Sequence, residues 1–152
     1  MKIFTIGFTR KSARTFFGLL RDAKVKRLVD VRLNNVSQLA GFAKKDDLAY
    51  FTQALCGIDY LHELKLAPTP SMLDAYRGAK GRGGTGKTGF VDYERQFLTL
   101  MARRRIDKTL PLATLDGACL LCSEDKPHHC HRRLVAEYLA RKWDNVQIEH
   151  LI

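Results

Sequence analysis

The chain has 152 residues, the length of one domain, and should bury roughly 70% of its unfolded surface without needing a disulfide or a metal as a staple. Its 45% hydrophobic content excludes a disordered chain, and no apolar run approaches the ~20 residues of a membrane span. Lysine and arginine outnumber acidic residues 26 to 16, giving a net charge of +10 and a pI near 9.7, which favours anionic partners: nucleic acid, nucleotides or phosphorylated metabolites.

The N-terminal MKIFTIGFTRKS has a short apolar run and no small-residue cleavage site, so it does not read as a signal peptide. A cytoplasmic location is expected, with Cys56, Cys119, Cys122 and Cys130 reduced. Lys2 to Gly7 reads as a buried first strand ending at a glycine, with Phe8 and Thr9 in the turn. Ser12 is a suitable N-cap for a helix to about Ala23, whose Phe16, Leu19, Leu20 and Ala23 share a face. Lys26 to Arg32 is a second strand closing on Asp30 and Arg32. Strand, helix and strand in so few residues predict a βαβ unit and a parallel sheet.

Residues 33–44 look irregular. A second helix is expected from Lys45 or Asp46 to Cys56, stopped by Gly57, followed by a short strand over Ile58 to Leu61. Pro68 and Pro70 break the loop that follows, and Ser71 to Tyr76 reads as a short helix. Residues 78–89, GAKGRGGTGKTG, hold six glycines and predict a mobile basic loop within the domain rather than a linker. Helix from Phe90 to Arg105, strand from Ala118 to Cys122, helix from Cys130 to Trp143 and an alternating strand over 146–152 complete the chain. Pro127 suits a first helical position and would put Cys130, His131 and Arg132 in or near the first turn.

Two motifs match in letters but not in context. Gly81 to Thr88 satisfies the P-loop pattern, yet no strand runs into it, as phosphate binding at the following helix requires. Better readings are a solvated basic loop, or one that closes over an anion with Lys87 as a contact. Cys119-Leu-Leu-Cys122 followed by Cys130 and His131 has the spacing of a zinc knuckle. If 118–122 is a strand, however, Cys119 and Cys122 point to opposite faces and cannot share an ion. The metal alternative that survives is Cys122, Cys130 and His131. No cofactor is predicted, zinc being the alternative.

Ligands of open parallel sheets bind beyond the carboxyl ends of the strands. Gly7, Thr9, Asp30, Arg32, His62, Glu63, Cys122, Glu124, Cys130, His131 and Arg132 all fall on that rim.

Thr5-Ile6-Gly7-Phe8, Leu28-Val29-Asp30-Val31-Arg32, Cys122-Ser123-Glu124 and Cys130-His131-Arg132 together resemble domain-of-unknown-function family 488 (DUF488) over essentially the whole chain, with Phe8 where that family usually has histidine. The resemblance implies one Rossmann-like domain with a shared pocket formed by Gly7, Asp30, Arg32, Cys122, Glu124, Cys130, His131 and Arg132. A weaker resemblance is to rhodanese-type sulfurtransferases, through Leu-Val-Asp-Val-Arg and the strand ending in Cys122. The loop after Cys122 departs from that pattern, because it holds two carboxylates and no glycine.

The expected architecture is a single α/β domain over residues 1–152, Rossmann-like and three-layered, with a mainly parallel sheet of about five strands. The expected function is an enzyme, hydrolase or transferase, acting on a nucleotide, nucleoside or nucleic-acid component. Asp30 or Glu124 would be the acid or base, Cys122 or Cys130 the nucleophile or polarising group, and His131 a proton carrier. Gly7, Thr9, Arg32, Arg132 and Lys87 would contact the anion. The competing classes are a basic nucleic-acid-binding protein using Lys44, Lys45, Arg77, Lys80, Arg82, Lys87 and Arg103 to Arg105, and a zinc-stabilised module.

Overall fold

The structure, a computed structural model, describes residues 1–36, 40–81 and 86–152, with the backbone alone at 79–81 and 86–88. Five strands, β1 (Lys2–Gly7), β2 (Arg27–Asp30), β3 (Asp59–His62), β4 (Ala118–Cys122) and β5 (Gln147–Leu151), form one all-parallel sheet in the order β3-β2-β4-β1-β5. Helices α1 (Ala13–Asp22) and α2 (Lys45–Cys56) cover one face. Helices α4 (Gly86–Arg104), α5 (Ile106–Thr109) and α7 (His131–Lys142) pack on the other, with α3 (Pro70–Gly81) against α4. α6 (Leu112–Leu115) leads into β4.

The alternation of β4 divides the core. Cys119 and Leu121 pack with Phe16, Leu20 and Leu28, whereas Ala118, Leu120 and Cys122 pack with Phe97, Met101 and Leu134. The two cysteines of the Cys-x-x-Cys motif therefore belong to opposite layers, as the strand period requires.

The route of the chain places a crevice at the end of β4. From β1 to β2 to β3 the chain steps one way across the sheet, and from β4 to β5 it steps back over β1. Right-handed crossovers taken in opposite directions send their helices to opposite faces. β4 thus lies between two neighbours whose connections leave on the side away from its own, which is where open α/β sheets bind ligands. The register levels the rim: Gly7 aligns with Cys122, and Asp30 with both Leu121 and His62.

Several expected boundaries hold. Ser12 caps α1, accepting from the Thr15 N–H at 3.1 Å, and Gly57 closes α2 at φ 65°. Others move. β2 ends at Asp30 instead of Arg32, because the Asp30 side chain accepts the Arg32 N–H (3.1 Å) and turns the chain out of the ladder. α7 starts at His131 with Cys130 as N-cap, not at Pro127, since residues 123–129 are held as a loop. The loop expected over 78–89 is helical through Gly81 and again from Gly86, while residues 82–85 lie outside the described residues. Each helical glycine costs about 1 kcal/mol relative to alanine. Ring packing of Tyr76 on Tyr93 (4.9 Å) and Phe90 (5.9 Å) joins the two helices across that segment. Among the described residues no helix is long and apolar enough to cross a membrane.

Gly7 is a steric requirement of this arrangement. A Cβ there would fall 1.7 Å from the Glu124 carbonyl oxygen and 3.0 Å from Arg132 Nη1, and the nearer clash is with backbone. Gly7→Ala should therefore lower stability by about 3 kcal/mol in urea unfolding. Gly18→Ala, in open space on α1, should leave stability equal or raise it by about 0.5–1 kcal/mol.

Candidate functional site

At the end of β2, Asp30 is fully buried and Arg32 nearly so. The guanidinium grips the carboxylate in two places, Nε to Oδ1 at 2.8 Å and Nη2 to Oδ2 at 2.6 Å, and Nη2 also donates to the Ala43 carbonyl at 2.9 Å. Tyr60 donates its hydroxyl to Asp30 Oδ2 at 2.7 Å. His62 Nε2 donates to the Arg32 carbonyl at 2.7 Å, so its Nδ1 accepts from Asn35 Nδ2 at 3.2 Å; Asn35 also donates to the Tyr60 oxygen. The Phe8 ring lies 5.0 Å from the guanidinium carbon. Burial would lower the Arg32 pKa, but the hydrogen bonds and charge of Asp30 outweigh it and the net direction is upward. Burial, then the charge of Asp30, push the Tyr60 hydroxyl far above its ordinary value and keep it a donor. One group in this network is left over: Arg32 Nη1 is buried with no partner among the described residues.

A second arginine builds the neighbouring loop. Arg132 is 1% exposed, and it donates from Nη1 to the Glu124 carbonyl and from Nη2 to the Asp125 carbonyl (3.1 Å). Thr9, in the turn after β1, holds the same loop, its N–H and hydroxyl both donating to the Ser123 carbonyl at 3.1 and 2.8 Å. Lys11 pairs with Asp125 at 2.7 Å and holds its carboxyl below the usual range. Five donors, counting Lys11, fix the loop after Cys122, and Arg132 Nη1 is shared with Cys130 Sγ at 3.4 Å.

Cys122 and Cys130 flank this loop. His131 Nε2 donates to the Val31 carbonyl at 2.7 Å, because a carbonyl can only accept. Nδ1 is therefore the free ring nitrogen, 3.6 Å from Cys122 Sγ. A hydrogen bond from Cys130, the Arg132 charge and the Ser123 N–H lower the Cys122 pKa against the effect of burial. Burial and the proximity of Cys122 raise that of Cys130. Cys119 is pushed up by burial and belongs to the opposite layer.

These elements enclose a cavity of about 330 Å³. Its lining combines the buried Arg32, Cys122, Cys130 and His131 with the more exposed Ser123, Glu124, Asn34 and Arg77 and the aromatic Tyr76, Tyr93 and His129.

The model of the family described as domain of unknown function DUF488 matches residues 12–139. The chain belongs to the DUF488 family. No curated protein and no solved structure gives a significant match, and nothing in these comparisons supports the sulfurtransferase resemblance. The stretch that matches DUF488 includes Asp30, Arg32 and the whole segment from Cys122 to Arg132.

Within this DUF488 chain the nominated residues separate by position. Arg32, Cys122, Glu124, Cys130 and His131 line the cavity. Asp30 lies behind Arg32 and orients it, and Gly7, Thr9 and Arg132 hold the 123–125 loop without lining the cavity. The side chain of Lys87 lies outside the described residues, as do those of Lys80 and Arg82. Of the basic surface footprint, Arg104 is spent on the carbonyls of Leu64, Lys65 and Ala67. Sequence reasoning missed Tyr60, Asn35, Tyr76, Tyr93 and His129. The apolar face shared by Tyr93 and Phe97 was visible, but not that Tyr93 reaches the rim of the sheet.

Asp30→Asn strands a buried guanidinium beside a neutral amide and should cost about 3–5 kcal/mol in chemical denaturation. Tyr60→Phe removes one hydrogen bond to the same carboxylate and should cost roughly 1.5–3 kcal/mol. A cost below about 1 kcal/mol for Asp30→Asn would contradict the network described here.

Proposed function

We propose that this protein is an enzyme, of the hydrolase or transferase type, that acts on a nucleotide, nucleoside or nucleic-acid component bound at the C-terminal ends of β2 and β4. The observation that carries this reading is Arg32. Two of its three nitrogens are locked by Asp30 and Ala43, the third is buried without a partner, and the residue lines the cavity. Charge-assisted bonds from a preorganised guanidinium are the strong, geometrically selective contacts for phosphate and carboxylate. Arg77 adds a second positive charge at the cavity wall.

The walls support a planar ligand. Tyr76, Tyr93 and His129 are aromatic residues of the lining against which a base can pack, and Asn34 adds a polar group to the same lining. A volume near 330 Å³ suits a ligand of mononucleotide size. Glu124 is the carboxylate that lines this space and is assigned the role of proton donor or acceptor. Cys122, Cys130 and His131 complete the polar lining, and Asp30 acts through Arg32 as a positioning residue.

Calorimetric titration with a nucleoside 5′-monophosphate and with the matching nucleoside tests this. The nucleotide should bind roughly tenfold to a hundredfold more tightly, the value of a charge-assisted contact. Arg77→Ala, at an exposed position, should narrow that gap without altering the fold. Equal affinity for both ligands, or binding of neither, would contradict the reading.

A further inference from the structure

Cys122 Sγ, Cys130 Sγ and a ring nitrogen of His131 lie within 4.8 Å of one another, and all three residues are buried. Anion binding by Arg32 makes no use of this cluster. We infer that it is a site for a thiophilic divalent cation, zinc above others, with Cys122, Cys130 and His131 Nδ1 as ligands and one coordination position open to the cavity.

The first argument is distance. Zinc bonds of about 2.3 Å to sulfur and 2.0–2.1 Å to nitrogen, at a tetrahedral angle, put sulfur and nitrogen about 3.6 Å apart. Cys122 Sγ and His131 Nδ1 are 3.6 Å apart. The second is the tautomer. Nε2 is committed to the Val31 carbonyl, which leaves Nδ1 as the ring nitrogen available to a metal; a ring N–H held by a carbonyl is how metal-binding imidazoles are oriented.

The third argument is the donor beside one sulfur. Arg132 Nη1 reaches Cys130 Sγ at 3.4 Å, a contact that a metal-bound sulfur can still accept. The last is position. All three residues line the cavity that Arg32 also lines. Three protein ligands with an open fourth position is the pattern of catalytic zinc, in contrast to the closed four-ligand structural sites. Cys119 cannot close the set, since it belongs to the other layer. The open position and the anion held by Arg32 would share one space, with Glu124 on its wall; that last step rests on the proposed function above, whereas the metal site itself does not.

The test is titration of the reduced, chelator-treated full chain with cobalt(II), followed by zinc. The expected result is one cobalt per chain with a sulfur-to-metal charge-transfer band and the intense visible bands of a tetrahedral site, displaced by one equivalent of zinc. Zinc should also protect Cys122 and Cys130 from alkylation, as mapped by mass spectrometry. Cys130→Ser should weaken binding by more than the roughly 100-fold that loss of a supporting hydrogen bond costs. Cys56→Ser, remote from the cluster, should leave binding unchanged.

Absence of the charge-transfer band in the wild-type chain overturns the inference whether or not a variant folds, as does zinc that leaves both thiols unprotected. Metal-free protein that still prefers the nucleotide would keep the proposed function and lose only the metal. Stoichiometric cobalt without nucleotide binding would do the reverse.

Discussion

A carboxylate buried at the end of a central strand must be matched group for group, and the matching of Asp30 organises this protein. Its two oxygens receive two side-chain bonds from Arg32, the Arg32 backbone N–H and the Tyr60 hydroxyl. The backbone bond ends β2 and the side-chain bonds fix the guanidinium plane. Tyr60 ties β3 to the same point, and His62 and Asn35 extend the tie to the segment after β2. A structural need, satisfying a buried charge, thereby leaves one nitrogen of a rigid guanidinium unspent beside a cavity. Pairs of this kind add little net stability but are costly to break.

The two buried arginines do different work. Arg132 collects the Glu124 and Asp125 backbone carbonyls and reaches Cys130 Sγ. Gly7 must lack a side chain so that the Glu124 carbonyl can approach β1, and Thr9 anchors Ser123 from the turn after that strand. β1 and α7 thus shape the loop after Cys122 from both sides. Cys122 on one side of the loop and Cys130 and His131 on the other are buried and line the cavity.

Much of this was legible in the chain. Buried apolar runs located β1, β2 and β4, and Ser12 and Gly57 marked helix ends through chemistry that acts within a few residues. The rim was legible too, because every strand of a parallel sheet ends on the same side. The insertion of β4 between β1 and β2 was not, since strand order depends on pairing between distant segments. Nor could the sequence separate Arg32 from Arg132: the partners that consume Arg132 are backbone carbonyls, which carry no letter. Composition misled at 78–81 and 86–89, where glycines sit inside α3 and α4 and the helices are joined by Tyr76, Phe90 and Tyr93. The one-turn helices α5 and α6 are too short to show a period.

The central claim is that Arg32 Nη1 is the donor reserved for an anionic ligand. A crystal structure of the protein soaked with a nucleoside 5′-monophosphate tests it most directly. The account predicts a phosphate oxygen within hydrogen-bonding distance of Nη1, the Asp30–Arg32 pair unchanged, and the base among Tyr76, Tyr93 and His129. A phosphate bound instead at the exposed Arg103 and Arg105, with Nη1 still bare, would contradict it.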